Sequence, residues 1–154
     1  MNLLPGWHPM MVHFPVALTL TAGLFLIGAR VVRSAALAAT FATVGTWNLC
    51  LAAVAALFAL ATGLAGVLDL HVGAAAHAAV SLHMKWAMFT SLALLLVCVW
   101  RGAGSAQHSR PSWLFVAVLG AICIALSVTA YLGGENVYRY GVGVEDTEAV
   151  AHTN

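Results

Sequence analysis

The sequence predicts an all-α integral membrane protein, a four-helix bundle with both termini on the periplasmic side. Two observations carry that expectation. Of 154 residues, 62% are hydrophobic and only 7% charged, whereas a soluble domain carries about 25% charged residues. The mean hydropathy is +0.96. Six basic and five acidic side chains cannot cover a water-exposed surface, so lipid must be the main solvent. The apolar residues also fall into four stretches of the length, about 20 residues, that crosses a bilayer core.

The first stretch has no charge before Arg30, and a helix is expected over about 9–29. Pro9 suits a first turn, and Pro15 predicts a kink because its ring clashes with the carbonyl of Met11. Ser34 to Leu68 is charge-free and longer than one span needs. The span is placed at about 45–68, with the earlier residues as an interfacial lead-in or part of one long tilted helix. The third helix is expected at about 78–100, interrupted only by Lys85. Pro111 restarts the chain after a polar linker, and the fourth helix follows at about 112–132. Gly133 and Gly134 can end it with positive φ, leaving a tail over 133–154. The whole chain, 1–154, reads as one transmembrane domain.

Orientation follows from charge. Arg30 and Arg33 lie between the first and second helices, and Arg101 and Arg110 between the third and fourth. Both loops share one side, which the positive-inside rule makes cytoplasmic. Arg139 lies on the other side, one arginine against four. A net charge of +1 offers no field for nucleic acid. Cys50, Cys98 and Cys123 lie in apolar runs without a CxxC pair and read as small buried thiols.

That topology gathers His8, His13, His71, His77, His83 and His152 on the outer side with Asp69, Lys85, Glu135 and Arg139, leaving only His108 inside. Ionisable groups near hydrocarbon are costly and mark candidate sites. Measured from Pro9 and Ala78, His13 and His83 lie roughly 6 and 8 Å down their helices. Two imidazoles at matching depth suit the axial positions of a b-type haem, so His13 and His83 are the preferred pair, with His8 and His77 as the alternative or second pair. Lys85 and Arg139 can meet haem propionates, and Trp7, Phe14 and Trp86 can pack on a porphyrin face. The same four histidines, supplemented by Asp69 or Glu135, also suit zinc or copper. His8 and His13 are about 140° apart on a helix, and His77 and His83 about 120° apart, so any site must be built between helices.

The bland readings stand beside these. Imidazoles can simply hydrogen-bond in the bundle, Asp69 can cap a helix, Lys85 can snorkel to the headgroups, and the tryptophans fit an interfacial belt. Glu135 and Arg139 can close over the histidine layer as a lid or form one weak surface ion pair. No serine or cysteine stands in a nucleophile motif, and no mid-membrane acid marks a transport path.

The opening HPMMVHFPVAL and the closing YLGGENVYRYGVGV resemble the two ends of a bacterial family of predicted four-helix integral membrane proteins of unknown function, the DUF2231 type. His8, Pro9, His13 and Pro15 match the first motif. Gly133, Gly134, Glu135, Tyr138, Arg139, Gly141 and Gly143 match the second. Similar sequences often have His before the LGG, where this chain has Tyr131. The resemblance implies a multi-pass protein of the bacterial inner membrane, sometimes beside or fused to cytochrome c modules. The expected function is a non-catalytic electron-transfer subunit. It would relay electrons between a cytochrome c or other periplasmic redox protein and quinone or a larger complex. A metal-binding protein or a structural accessory subunit, in a complex or homo-oligomer, are the alternatives.

Overall fold

The computed structural model describes residues 3–68, 72–102 and 109–144, with the backbone alone for residues 3–5. His71, His108, His152 and Asp69 lie outside the described residues. The described chain is all helical, in the order α1 (Leu3–Met11), α2 (His13–Val31), α3 (Ala35–Leu68), α4 (Ala74–Gly102) and α5 (Trp113–Tyr138).

Four helical stretches are long and apolar enough to cross a membrane: Gly6–Val31, Ala35–Leu68, Ala74–Gly102 and Trp113–Tyr138. The first joins α1 and α2 across an interruption at Val12. The cause is Pro15, which has no N–H to offer the carbonyl of Met11. Apolar side chains face outward along every span, as at Leu24 (73% exposed) and Ile124 (70% exposed). Lipid is their natural solvent. The chain is a membrane protein.

Small residues set the packing. The buried positions of α3 are mostly alanine, with Ala38, Ala42, Gly45, Leu49, Ala52, Ala53, Ala56 and Ala59 recurring every three or four residues. Close backbone approach is what such a stripe permits. Across the α2–α3 contact, a Cβ on Gly45 would stand 2.7 Å from Leu26 Cγ, and one on Gly28 would stand 2.7 Å from Phe41 Cδ2. Ala22, Leu26, Leu49, Leu94, Phe115, Leu119 and Ile122 fill the centre.

Threonine hydroxyls inside the spans are satisfied locally, as an apolar solvent demands. Thr19, Thr21, Thr40, Thr43, Thr46, Thr62, Thr90 and Thr129 each donate to the carbonyl four residues earlier. This back-bonding removes the hydroxyl penalty at little cost to the helix.

Of the two forms open to the second span, the structure has the long one, a continuous helix from Ala35, since nothing in the charge-free stretch breaks it. Two expectations need correction. Gly133 and Gly134 do not end the last helix, which continues to Tyr138. The positive φ angles fall instead at Gly141 (63°) and Gly143 (78°), and the Gly141 N–H bonds back to Val137 O at 3.0 Å. Cys50 and Cys98 are not two separate thiols. Their Cα atoms are 5.3 Å apart, and they form a disulfide between α3 and α4. Cys123 is the free cysteine among the described residues.

Candidate functional site

The two ends of the bundle differ in chemistry. One carries the start of α1, the end of α3, the start of α4 and the end of α5. At this end His8 enters from α1 and His83 from α4. Their ring centres lie 6.4 Å apart with planes inclined by 78°.

Each imidazole is anchored by another helix. His8 Nδ1 donates to Ala59 O of α3 at 2.9 Å and lies 3.3 Å from Thr62 Oγ1. His83 Nδ1 donates to Thr129 O of α5 at 3.0 Å. A carbonyl can only accept, so each Nδ1 carries a proton, and in the neutral ring each Nε2 keeps its lone pair. Among the described residues neither Nε2 makes a hydrogen bond. Donation from the second ring nitrogen to a carbonyl is the support that ligating histidines commonly have.

Two glycines admit the rings. A Cβ on Gly63 would stand 2.8 Å from His8 Cε1, and one on Gly133 would stand 3.1 Å from His83 Cε1. Depth is matched as well. Ala59 to Leu68, Ala74 to His83 and Thr129 to Tyr138 each span nine residues, which puts the layer roughly 13 Å inside three helix ends. Both imidazoles are half-buried there.

The structure therefore pairs His83 with His8 rather than with His13. The reason is angular: about 140° separates His8 from His13, so the inward turn of His8 leaves His13 exposed at the start of α2. His77 is exposed too, six residues from His83 and on another face. Lys85 is two residues beyond His83, about 200° round the helix, and lines an open groove outside the bundle with Trp86 and Phe89. Trp7 and Phe14 are about half exposed and do not cover the histidine pair.

Glu135 and Arg139 bond to each other, Nη1 to Oε1 at 3.0 Å, and neither hydrogen-bonds to His8 or His83. That bond raises the Arg139 pKa from its ordinary value, so the guanidinium stays cationic on the surface. The buried polar residue of this segment is Asn136, 6% exposed, whose Oδ1 has no hydrogen-bond partner. Sequence reasoning passed over it. The available signal was its seven-residue spacing from Thr129, two turns along one face.

Among the described residues no group of three or more His, Cys, Asp or Glu could hold a metal ion. Among the described residues two imidazoles make up the donor set here, whereas a structural zinc site takes four protein ligands and a catalytic one three.

The opposite end is rich in arginine. Arg101, 4% exposed, donates from Nε to Thr46 Oγ1 at 3.1 Å and from Nη2 to Ser109 O, and it lies over the Phe115 ring. Arg110 donates to Arg30 O in the last turn of α2 and to Val32 O and Arg33 O just beyond it. Arg30 stacks on Trp113.

A family model described as "Predicted membrane protein (DUF2231)" matches residues 5–146. No curated protein and no solved structure matches the chain.

Proposed function

The chain belongs to the DUF2231 family of predicted membrane proteins, and from that premise we propose that it is an electron-transfer subunit holding b-type haem between His8 and His83. The observation that supports this reading most is the facing of two Nδ1-anchored imidazoles, 6.4 Å between ring centres, inside an apolar bundle. Two imidazoles this close could both reach one haem iron. A pair of histidines is a donor set that would suit haem iron better than zinc, which takes three or four protein ligands.

In this reading His8 and His83 act as ligands through Nε2. Ala59 O and Thr129 O hold the rings by accepting from Nδ1, which fixes the tautomer and raises ligand basicity. Gly63 and Gly133 leave the rings room. When bound, the haem supplies reversible one-electron exchange. With the arginine loops taken as cytoplasmic by the positive-inside rule, the histidine end would face the periplasm of a bacterial inner membrane. A periplasmic redox protein such as a cytochrome c would dock there, and quinone or a larger complex would exchange electrons within the membrane. Arg139, the C-cap of α5, lies at the rim of that end, where a cation favours docking of an acidic partner.

A second reading, an accessory scaffold, draws on the same two hydrogen bonds: imidazoles that link α1 to α3 and α4 to α5 would be useful without a cofactor. The absorption spectrum and elemental analysis of the purified protein separate the two. Iron with a Soret band and a reducible α band supports the haem proposal, and zinc or copper without porphyrin replaces it with a metal site. A folded protein with neither overturns both cofactor readings.

A further inference from the structure

The arginine end holds a second site that the histidine chemistry does not use. Trp100, Arg101, Ser109, Arg110, Ser112 and Phe115 line one pocket where α4 ends and α5 begins. We propose that this pocket binds the phosphate of an anionic phospholipid headgroup from the adjoining leaflet.

Charge balance is the first support. Arg30, Arg33, Arg101 and Arg110 gather here, while the one acid among the described residues, Glu135, stands at the opposite end of α5. The neutral acceptors that hold Arg110 satisfy its geometry but leave its charge uncompensated. The anionic headgroups of the adjoining leaflet are the counter-charge at hand.

Two further observations point the same way. Arg110 Nη1 donates to Arg30 O, and Arg30 Nε is buried without a hydrogen-bond partner. Ser112 is the N-cap of the 26-residue α5, its side chain accepting from Phe115 N, so the positive end of that helix dipole opens at the pocket. Trp100 and Phe115, rings 5.2 Å apart, make the apolar wall that a glycerol and first acyl carbons need. Basic pockets between spanning helices on this side are the recurrent form of headgroup sites.

The test uses the full-length protein in neutral detergent. Thermal stability is measured with added phosphatidylglycerol, phosphatidylcholine or inorganic phosphate, and retained lipid is counted by native mass spectrometry. Phosphatidylglycerol should raise the melting temperature and stay bound where phosphatidylcholine does not. Arg110→Gln should weaken that retention about fivefold, the worth of about one surface cation toward anionic lipid. The exposed Arg33→Gln serves as control and should change it less. If Arg110→Gln unfolds, the wild-type comparison still decides. Equal stabilisation by phosphatidylglycerol and phosphatidylcholine overturns the proposal. Inorganic phosphate alone reproducing the shift overturns the lipid source. Unchanged retention in a folded Arg110→Gln overturns the pocket.

Discussion

The two ends of the bundle treat their polar side chains differently. At the arginine end, Arg110 bonds three carbonyls in and just beyond the last turn of α2, and Arg101 bonds Thr46 and Ser109. These donors tie helices together, and the architecture at that end depends on them. At the histidine end, each imidazole commits one nitrogen to a neighbouring helix and presents the other without a hydrogen-bond partner among the described residues. The contrast separates polarity fully engaged in joining helices from polarity that is engaged only in part. A membrane protein has no water to hide an idle ring nitrogen, so the second kind is the more informative.

The sharpest way to break this comparison is to remove a ring. His8→Ala or His83→Ala should each lower the haem-to-protein ratio to background, while His13→Ala and His77→Ala, both exposed, should leave it unchanged. Next in size is Gly63→Val. A Cβ there already stands 2.8 Å from His8 Cε1, so the branched side chain must displace the imidazole. Haem content should fall by more than half with helix content by circular dichroism intact. At the arginine end, Thr46→Val removes the acceptor of Arg101 Nε and should cost about 1–3 kcal/mol of stability, read as a lower melting point with haem content unaltered. The smallest effect belongs to Glu135→Gln. Its pair with Arg139 is exposed, so neither melting point nor haem content should move measurably.

How far the sequence carried the reading differs between these regions. Span positions followed from where charges fall, because lipid tolerates almost none, and the arginine loops were legible for the same reason. The site was legible only in part. His8 and His83 were both candidates, but His83 was matched with His13 because depth was counted from Pro9 and Ala78. The helices start at Leu3 and Ala74; Pro9 lies inside α1 rather than opening it, so the starting level was misplaced. The angular arithmetic showed that His8 and His13 cannot face the same way. Which of them turns inward depends on Gly63, a residue 55 positions from His8, and single-helix periodicity does not reach that far.

The Cys50–Cys98 link was hidden for the same reason. Its residues are 48 apart in sequence on different helices, and nothing in either apolar run marks them as neighbours. Asn136 and the carbonyls of Ala59 and Thr129 were also silent. A backbone acceptor in a span is normally engaged by its own helix, so its use by a side chain is decided by packing alone.

The most direct test is the low-temperature electron paramagnetic resonance spectrum of the oxidised, purified protein beside its His8→Ala, His83→Ala and His13→Ala variants. Axial ligation by His8 and His83 predicts a low-spin ferric signal in the wild type and in His13→Ala, lost or converted to high spin in the other two. A low-spin signal that survives loss of His8 and disappears with His13, or a folded protein with no ferric haem signal at all, would contradict it.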